Sequence, residues 1–329
     1  TAKLGVKAAL NLTWEKLDDK TQKVGELLSL FNPNEITWEY VESVSELLNW
    51  KNKDVIKAKK QLHELNFIKS LEREEESYQF YPLIREFLRT KLQLSPQKND
   101  LKQVFINSFI EISKTIPETT TLEFINSVKN AIPHLQEVLE NLIDAISDEN
   151  LYYAFTGLAR FYYGQGLYTL AEPWLQQCVS TVRSRLGVNH LDTATSINNL
   201  AYLYFNQGKY EQAESLLIQA LELIKQLLGE NHPSTASSLN NLAQLYSRQG
   251  KYDEAKPLFI QTLDLRKKLL GENHPDTATS LNNLALLYYS QGKYEQAEPL
   301  YIQALQLKKQ LLGEKHPSTA PSMNNLAQL

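Results

Sequence analysis

Three Gly-Lys pairs recur in the second half of the chain, at residues 208–209, 250–251 and 292–293. Such a pair belongs to phosphate-binding loops when another glycine lies five residues before its glycine and a serine or threonine follows its lysine. Leucine occupies the earlier position and tyrosine the later one in all three pairs: Leu203, Leu245, Leu287, Tyr210, Tyr252 and Tyr294. The pairs therefore predict turns and not a phosphate site.

Histidine and cysteine are the other side chains that could carry chemistry. His190, His232, His274 and His316 also recur every 42 residues, so successive histidines lie a whole repeat apart and are too distant to share a metal ion. We expect them to pack or cap helices at the repeat junctions. Cys178 is the only cysteine and is predicted to lie in the core, without a disulfide partner. No catalytic residue, metal or cofactor is predicted, so this chain is not expected to be an enzyme.

Paired asparagines are the best candidates for binding. Asn198-Asn199, Asn240-Asn241, Asn282-Asn283 and Asn324-Asn325 keep the same 42-residue step. A side-chain amide offers both a donor and an acceptor, so one amide can satisfy both halves of a peptide group. One such contact per repeat would bind an extended backbone without requiring a particular sequence. The alternative is that one asparagine of each pair hydrogen-bonds between neighbouring helices, and the sequence leaves both open.

Composition narrows the class of partner. The chain has 329 residues, of which 42% are apolar and 22% charged, with a net charge of −4. This charge gives no reason to expect nucleic acid or an anionic membrane as the main partner. No apolar run is long enough to span a bilayer, and residues 1–20 lack the features of a signal peptide. We expect a cytoplasmic protein.

The 42-residue unit predicts a hairpin of two helices. Residues 275–290 place Leu281, Leu284, Ala285 and Tyr288 at helical spacing, and a second helix is expected at 294–312. Gly292 permits the tight turn between them. One hairpin cannot bury its apolar stripe alone, so the units must stack along residues 151–329.

Gly-Lys-Tyr followed three residues later by alanine resembles the tetratricopeptide turn. The 42-residue period, with Leu-Leu-Gly-Glu-x-His-Pro between units, is similar to the kinesin light chain subtype. The resemblance implies a mostly all-α fold, a right-handed α-solenoid whose concave groove binds a protein or peptide. The first unit is degenerate, with Thr156-Gly157 in place of paired asparagines. The last stops inside its first helix, which predicts that the chain is a piece of a longer protein.

Carrying over the groove positions of that family gives one set of candidate residues per unit. The candidates are Arg160 and Tyr163, with Tyr153; Asn199, Tyr202, Phe205 and Asn206; Asn241, Gln244 and Arg248, with Ser247; Asn283, Leu286 and Tyr289, with Ser290; and Asn325, with Gln328. The aromatic members either contact a ligand or pack. Only Arg160 and Arg248 are cationic, which disfavours a clamp for a terminal carboxylate.

Residues 1–92 differ from the repeats. Helices are predicted at about 4–16, 19–30, 37–48, 53–65 and 82–92, with a β-hairpin formed by 67–71 and 77–81 around a charged turn at 72–76. Helices followed by a small two-stranded wing indicate a winged-helix domain. Fifteen basic and fifteen acidic residues balance in this segment, which disfavours DNA binding. Residues 93–150 predict a helical connector that docks on the first repeat, because they are rich in apolar side chains.

The segments LNLTWEKL at 10–17, LLSLF at 27–31 and YQFYPLIREFL at 78–88 resemble the winged helix of NB-ARC/STAND regulatory ATPases. That resemblance implies a nucleotide-binding core upstream of Thr1, which alone would hold ADP or ATP. Tyr81 stands where the family has a histidine that reaches ADP. The chain would then be the sensing and transmitting part of a signalling ATPase. A cargo or assembly adaptor without nucleotide control, and a repeat-containing transcription regulator, are the alternatives.

Overall fold

The computed structural model describes residues 2–71, 76–118, 120–314, 316 and 318–329, with the side chains of residues 2–4 left out. Most of the predicted charged turn, residues 72–75, lies outside these ranges. Two compact units are present, Thr1–Trp174 and Leu175–Leu329. Within the described residues, no helix is both long and apolar enough to cross a membrane.

The first unit is mainly helical. Its helices are α1 (Ala2–Trp14), α2 (Asp19–Leu28), α3 (Trp38–Leu47), α4 (Asn52–Glu64), α5 (Pro82–Leu94), α6 (Lys98–Thr115), α7 (Leu122–Val128), α8 (Ile132–Asn141), α9 (Asp148–Tyr163) and the start of α10 (Tyr168–Leu186). Short 3₁₀ turns follow α7 at Lys129–Ala131 and α8 at Ile143–Ala145.

The predicted hairpin is present, and a third strand that precedes it in the chain extends it to a three-stranded antiparallel sheet. The strands β1 (Ile36–Thr37), β2 (Lys69–Ser70) and β3 (Ser77–Gln79) lie in the order β1-β3-β2, with Tyr78 opposite both Ile36 and Ser70. The prediction of a helix from residue 37 missed β1. A strand of two residues has no alternation to detect, and Ile36 is held in the sheet because its side chain is completely buried.

An aromatic cluster forms part of the core of this unit. Phe31 packs edge-on against Phe105 and against the imidazole of His134, with ring centroids 4.9 Å apart in each pair. Nδ1 of the fully buried His134 accepts a hydrogen bond from the Asn32 N–H at 3.1 Å. Burial lowers the pKa of His134 to about 3, and the nearby Arg85 adds to the effect. The ring is therefore neutral in the folded protein.

Acidification is expected to destabilise the first unit through His134. The pKa in the unfolded chain is about 6.5, so the unfolded state takes up the proton first as the pH falls below that value. Stability from the neutral ring is present above pH 6.5 and is lost between pH 6.5 and 3; by pH 5 the loss is about 2 kcal/mol. Urea denaturation at pH 7 and at pH 5 measures this loss in the free energy of unfolding. His134→Gln, which retains an acceptor but does not titrate, should remove this part of the pH dependence, and equal pH dependence in both proteins contradicts the assignment.

The second unit consists of helical hairpins. Its helices after α10 are α11 (Leu191–Asn206), α12 (Tyr210–Leu228), α13 (Pro233–Arg248), α14 (Tyr252–Leu270), α15 (Pro275–Ser290), α16 (Tyr294–Leu312) and α17 (Ala320–Ala327). We call α11, α13 and α15 the A helices and α12, α14 and α16 the B helices. The helices predicted at 275–290 and 294–312 are confirmed, as is the fold class, a mostly helical solenoid of tetratricopeptide-type hairpins.

Small side chains bring the two helices of each hairpin together. Ala243, Ala255, Ala285, Ala297 and Ala304 are completely buried between neighbouring helices. Gly292 ends the turn after α15 with φ +70°, a left-handed conformation that favours glycine. Cys178 is completely buried in α10, where burial raises the pKa of its thiol, as the prediction of a core cysteine requires.

His190, His232 and His274 each cap the helix that follows them, which confirms the capping prediction at these three positions. His316 accepts the N–H of Ser318, which lies before α17, and the N-cap residue of that helix is Thr319. Nδ1 of His190, His232, His274 and His316 accepts the backbone N–H two residues later, at 3.1 to 3.2 Å. Because Nδ1 accepts, the proton of each neutral ring must be on Nε2. At the starts of α11, α13 and α15 these side chains satisfy one of the free N–H groups that every helix start leaves unpaired.

Removing one histidine cap should cost a small and measurable amount of stability. We expect His232→Ala to lower the free energy of unfolding by about 1 kcal/mol, since the N–H of Ser234 loses its acceptor. His232→Asn should lose much less, because its side-chain oxygen can accept the same N–H. Thermal denaturation of the two variants separates these outcomes, and equal losses would show that the ring acts by packing instead.

Candidate peptide-binding face

Each A helix exposes one stripe of side chains at helical spacing. The stripe comprises Asn199, Tyr202, Phe205 and Asn206 on α11, Asn241, Gln244, Ser247 and Arg248 on α13, and Asn283, Leu286, Tyr289 and Ser290 on α15. The short α17 adds Asn325, and Gln328 follows directly after that helix. We call this surface the A-helix face. Along each of α11, α13 and α15 the first three members follow one another at intervals of three residues, and the fourth lies four residues after the second, so all four lie on one side of the helix. The buried leucines and alanines of the same helices face the core.

The asparagines form a ladder that links successive A helices. Asn241 Nδ2 donates to Asn198 Oδ1 at 3.3 Å, Asn283 Nδ2 to Asn240 Oδ1 at 2.9 Å, and Asn325 Nδ2 to Asn282 Oδ1 at 3.3 Å. In the second, third and fourth pairs, the second asparagine thus donates to the first asparagine of the preceding pair. This is the alternative in which asparagines bond between helices, and it involves both members of the pairs.

The ladder hydrogen bonds leave part of the hydrogen-bonding capacity of the outer asparagine amides unused. In the bond to Asn198, Asn241 uses one of its two N–H groups, and its carbonyl oxygen is not part of that contact. Asn241 and Asn283 are half-buried, whereas Asn240 and Asn282 are almost completely buried. The outer amides can therefore hold the helices together and still offer a donor and an acceptor at the surface.

Removal of one ladder hydrogen bond should destabilise the second unit. We expect Asn241→Leu to lower the free energy of unfolding by about 1–2 kcal/mol, since the half-buried amide of Asn198 loses its donor. Gln244→Leu, one turn later on the same face, removes no hydrogen bond among the described residues and should change stability by less than about 0.5 kcal/mol. Urea denaturation compares the two, and equal losses would count against the ladder.

Aromatic and aliphatic side chains are partly exposed on α11 and α15, the two outer A helices of the face. Tyr202 is 38% exposed and stacks on Phe205, with centroids 6.0 Å apart and an interplanar angle of 22°. Leu286 is 37% exposed, and Tyr289 lies beside Tyr294 with centroids 5.4 Å apart. Rigid, partly exposed rings offer apolar contact area at a low cost in conformational entropy.

Charge is nearly absent from the A-helix face. The A helices carry acidic residues only in the first turn, Asp192 on α11 and Asp276 on α15, while α13 has none. Arg248 is exposed in the last turn of α13 and makes no ion pair with the described residues. The B helices, in contrast, carry acidic and basic side chains along their lengths. A ligand on this face would meet amides, rings and one guanidinium group.

The candidates from the first repeat lie in the first unit, where Tyr153 is 44% exposed but Arg160 and Tyr163 are partly covered. Arg160 Nη1 donates to the Ile116 carbonyl at 3.4 Å, and its guanidinium also pairs with Glu118 at 3.5 Å. Tyr163 packs on Tyr168 with ring centroids 5.3 Å apart. Because α6 and the segment after it occupy this side of α9, we do not include Arg160 and Tyr163 in the A-helix face.

Two glycines in α9 and at its end explain how the connector approaches so closely. A Cβ atom at Gly157 would lie 2.0 Å from Ser113 Oγ and 2.5 Å from the Ser113 carbonyl oxygen, and one at Gly164 would meet the side chain of Thr120. Ser113 Oγ donates to the Tyr153 carbonyl at 2.7 Å. Gly157 occupies the position that asparagine holds in later repeats. The departure from the repeat pattern thus marks the docking site of the connector.

The model of the tetratricopeptide repeat matches residues 149–217, 192–268, 246–310 and 276–329, together more than half of the chain. The crystal structure of a variant of a Podosopora anserina protein assigned to the kinesin light chains, with nearly identical TPR-like repeats, is similar at TM-score 0.50 and 25% identity. That match covers 62% of this chain and 95% of the other. BtubC (BKLC) from P. vanneervenii matches at TM-score 0.47 and 23% identity, over 72% of this chain and 85% of the other. Among curated protein sequences none matches. This chain belongs to the tetratricopeptide repeat family.

Proposed function

We propose that the A-helix face binds an extended segment of another protein. Tetratricopeptide repeats are protein–protein interaction modules, and the observation that supports this site is the amide-lined stripe that crosses α11, α13 and α15 with Arg248 as its one charged member. Its outer amides keep hydrogen-bonding capacity beyond the ladder, and exposed Tyr202 and Leu286 flank them. The combination suits a peptide backbone whose side chains are recognised by apolar and polar contacts.

We further propose that this module is the sensing part of an NB-ARC/STAND-type signalling ATPase of the cytoplasm. The first unit supports this proposal through the order of its elements. A helix, a strand, two helices and two strands follow one another, which suits a winged helix; these elements are α2, β1, α3, α4, β2 and β3. Tyr81, at the position of the family's histidine, is 64% exposed at the start of α5. In this proposal, binding at the repeats biases a two-state arrangement of an upstream nucleotide-binding module.

A cargo or assembly adaptor without nucleotide control is the second candidate. It is favoured by the similarity to the Podosopora anserina structure, whose protein is assigned to the kinesin light chains. The reading frame upstream of Thr1 separates the two. A nucleotide-binding core encoded there supports the signalling ATPase, whereas its absence from the complete gene contradicts it and leaves the adaptor.

DNA binding by the first unit is the third and weakest candidate, since its basic and acidic residues balance over residues 1–92. The measurement is a mobility shift of duplex DNA at micromolar protein, in low salt and again in salt of roughly fourfold higher concentration. We expect no shift at either concentration. A shift that weakens with salt would instead support a transcription regulator.

The binding proposal is tested by affinity capture from a cell lysate. The bait is this chain, compared with a double variant that blocks the face, Gln244→Trp and Ser247→Trp. We choose these positions because substitution at Asn241 or Asn283 would also break the ladder. The matched control is Gln261→Trp, an exposed glutamine on α14. A protein retained by the wild type and the control, but lost from the double variant, supports the site. Equal retention by all three contradicts it.

A further inference from the structure

The three complete A helices of the face differ at equivalent positions. Tyr202 on α11 corresponds to Gln244 on α13 and Leu286 on α15, since each lies 42 residues after the last. In the same way Phe205 corresponds to Ser247 and Tyr289, and Asn206 to Arg248 and Ser290. The outer two helices therefore present apolar groups, and the middle helix presents polar side chains with a cation. The alternation is apolar, cationic, apolar.

This alternation predicts what the ligand must carry. A segment that crosses the three helices places one side chain near Tyr202 and Phe205, one near Arg248, and one near Leu286 and Tyr289. Apolar side chains fit the first and third places. An acidic group fits the second, because a guanidinium group forms bidentate hydrogen bonds with a carboxylate or a phosphate. No acidic side chain of the described residues pairs with Arg248, so the cation is available.

The spacing of the helices selects the conformation of the ligand. The ladder hydrogen bonds join neighbouring A helices, and we take the distance between these helices to be close to the roughly 8–10 Å that separates the axes of packed helices. A polyproline II segment has three residues per turn and rises about 3.1 Å per residue, so its side chains i, i+3 and i+6 lie on one side about 9 Å apart. A β-strand turns side chains i and i+3 to opposite faces. The helix spacing therefore fits polyproline II better than a strand.

The outer amides fit the same conformation. Polyproline II has no internal hydrogen bonds, so its carbonyl groups are free to accept. Asn241 and Asn283 keep one N–H each beyond the ladder bond. One amide donor per repeat matches one turn of such a ligand per repeat.

We propose that the A-helix face binds a polyproline II segment of the pattern apolar-x-x-acidic-x-x-apolar, with the acidic side chain at Arg248. This inference rests on the proposed function and adds a sequence pattern to it. The pattern reads the same in both directions, so it holds for either orientation of the ligand on the face.

The probe is a fluorescein-labelled peptide, Leu-Pro-Pro-Glu-Pro-Pro-Phe, titrated with the full chain by fluorescence anisotropy. We expect the peptide to bind, and replacement of its glutamate by glutamine to weaken binding about tenfold. Insertion of one proline on either side of the glutamate should weaken it at least as much, because one apolar side chain then leaves its place. A phosphoserine peptide distinguishes the source of the acidic group: tighter binding than glutamate indicates a phosphorylated partner, and weaker binding a carboxylate.

Charge reversal at the protein completes the test. The Arg248→Glu variant should no longer bind the peptide with glutamate, and it should bind the peptide in which lysine replaces that glutamate. Lys268→Glu, an exposed cation on α14, is the matched control and should bind like the wild type. Circular dichroism of both variants shows whether they are folded. Peptides that bind equally with glutamate, glutamine and lysine would overturn the inference.

A display library of random heptapeptides distinguishes failure of the proposed peptide pattern from failure of the proposed peptide-binding function. Enrichment that depends on the unblocked face, but without spacing by threes or an acidic residue, overturns the pattern and leaves peptide binding intact. Equal enrichment on the wild type and the Gln244→Trp, Ser247→Trp variant overturns both.

Discussion

Glu137→Leu is expected to lower the free energy of unfolding of the first unit by about 3–5 kcal/mol, because it leaves two arginines without their anion. Glu137 is 4% exposed, and its two carboxylate oxygens each lie 2.5 Å from a guanidinium group, one of Arg85 and one of Arg89. Asn141 Nδ2 donates to the same carboxylate at 2.8 Å. The Arg89 side chain is 39% exposed, and its partial burial lowers the pKa of the guanidinium group.

The measurement is urea denaturation at pH 7, with a triple variant as control. Replacing Arg85 and Arg89 by methionine together with Glu137→Leu removes all three charges, and such exchanges in other buried ion pairs are often neutral or stabilising. We expect the triple variant to recover most of the stability that the single variant loses. Equal stability of Glu137→Leu and the wild type would contradict a buried ion cluster at this place.

Gly157→Ala is expected to destabilise the first unit by about 2–3 kcal/mol, because the added methyl group is overpacked against a fixed neighbour. Alanine is ordinarily a better helix former than glycine, so a gain of about 0.5–1 kcal/mol would be expected in the middle of an open helix. At this position the new methyl group meets both Oγ and the carbonyl oxygen of Ser113, and the carbonyl belongs to the backbone of α6 and cannot rotate away. The clash therefore outweighs the gain in helix propensity.

Gly5→Ala is the matched control for this substitution. Gly5 lies within α1, and a Cβ atom there has no neighbour within 4 Å. It should therefore be neutral or slightly stabilising, whereas Gly157→Ala lowers the melting temperature. If both glycines tolerate alanine equally, α6 does not pack on α9 at the distance described.

The repeats could be predicted well because local signals and tertiary structure agree in them. Period, glycine turns and apolar spacing all indicate the same hairpins, and the helices at 275–290 and 294–312 begin and end where they were expected. The structure of the first unit was harder to predict from the sequence. A two-residue strand such as β1 has no periodicity, and a buried histidine such as His134 depends on contacts with Asn32 and Phe31, about a hundred residues away in sequence.

The candidate site was predictable only in part. The groove positions carried over from the resemblance to the tetratricopeptide family gave the members of the exposed stripe. They could not show which asparagine bonds to which, since that depends on how neighbouring helices pack. Asn198, Asn240 and Asn282 were not among the groove positions carried over from the family, although they accept the ladder hydrogen bonds. Arg160 was a candidate, but its contacts with Ile116 and Glu118 arise from the connector, which lies outside the repeat pattern.

Site-specific photo-crosslinking tests the binding face most directly. A benzoylphenylalanine placed at Gln244, on the A-helix face, is compared with one at Gln261, an exposed position on α14, after irradiation of each protein in a cell lysate. We predict a crosslinked polypeptide from position 244 that position 261 does not give. Crosslinking from position 261 with none from position 244 would contradict binding on the A-helix face and direct attention to the B helices.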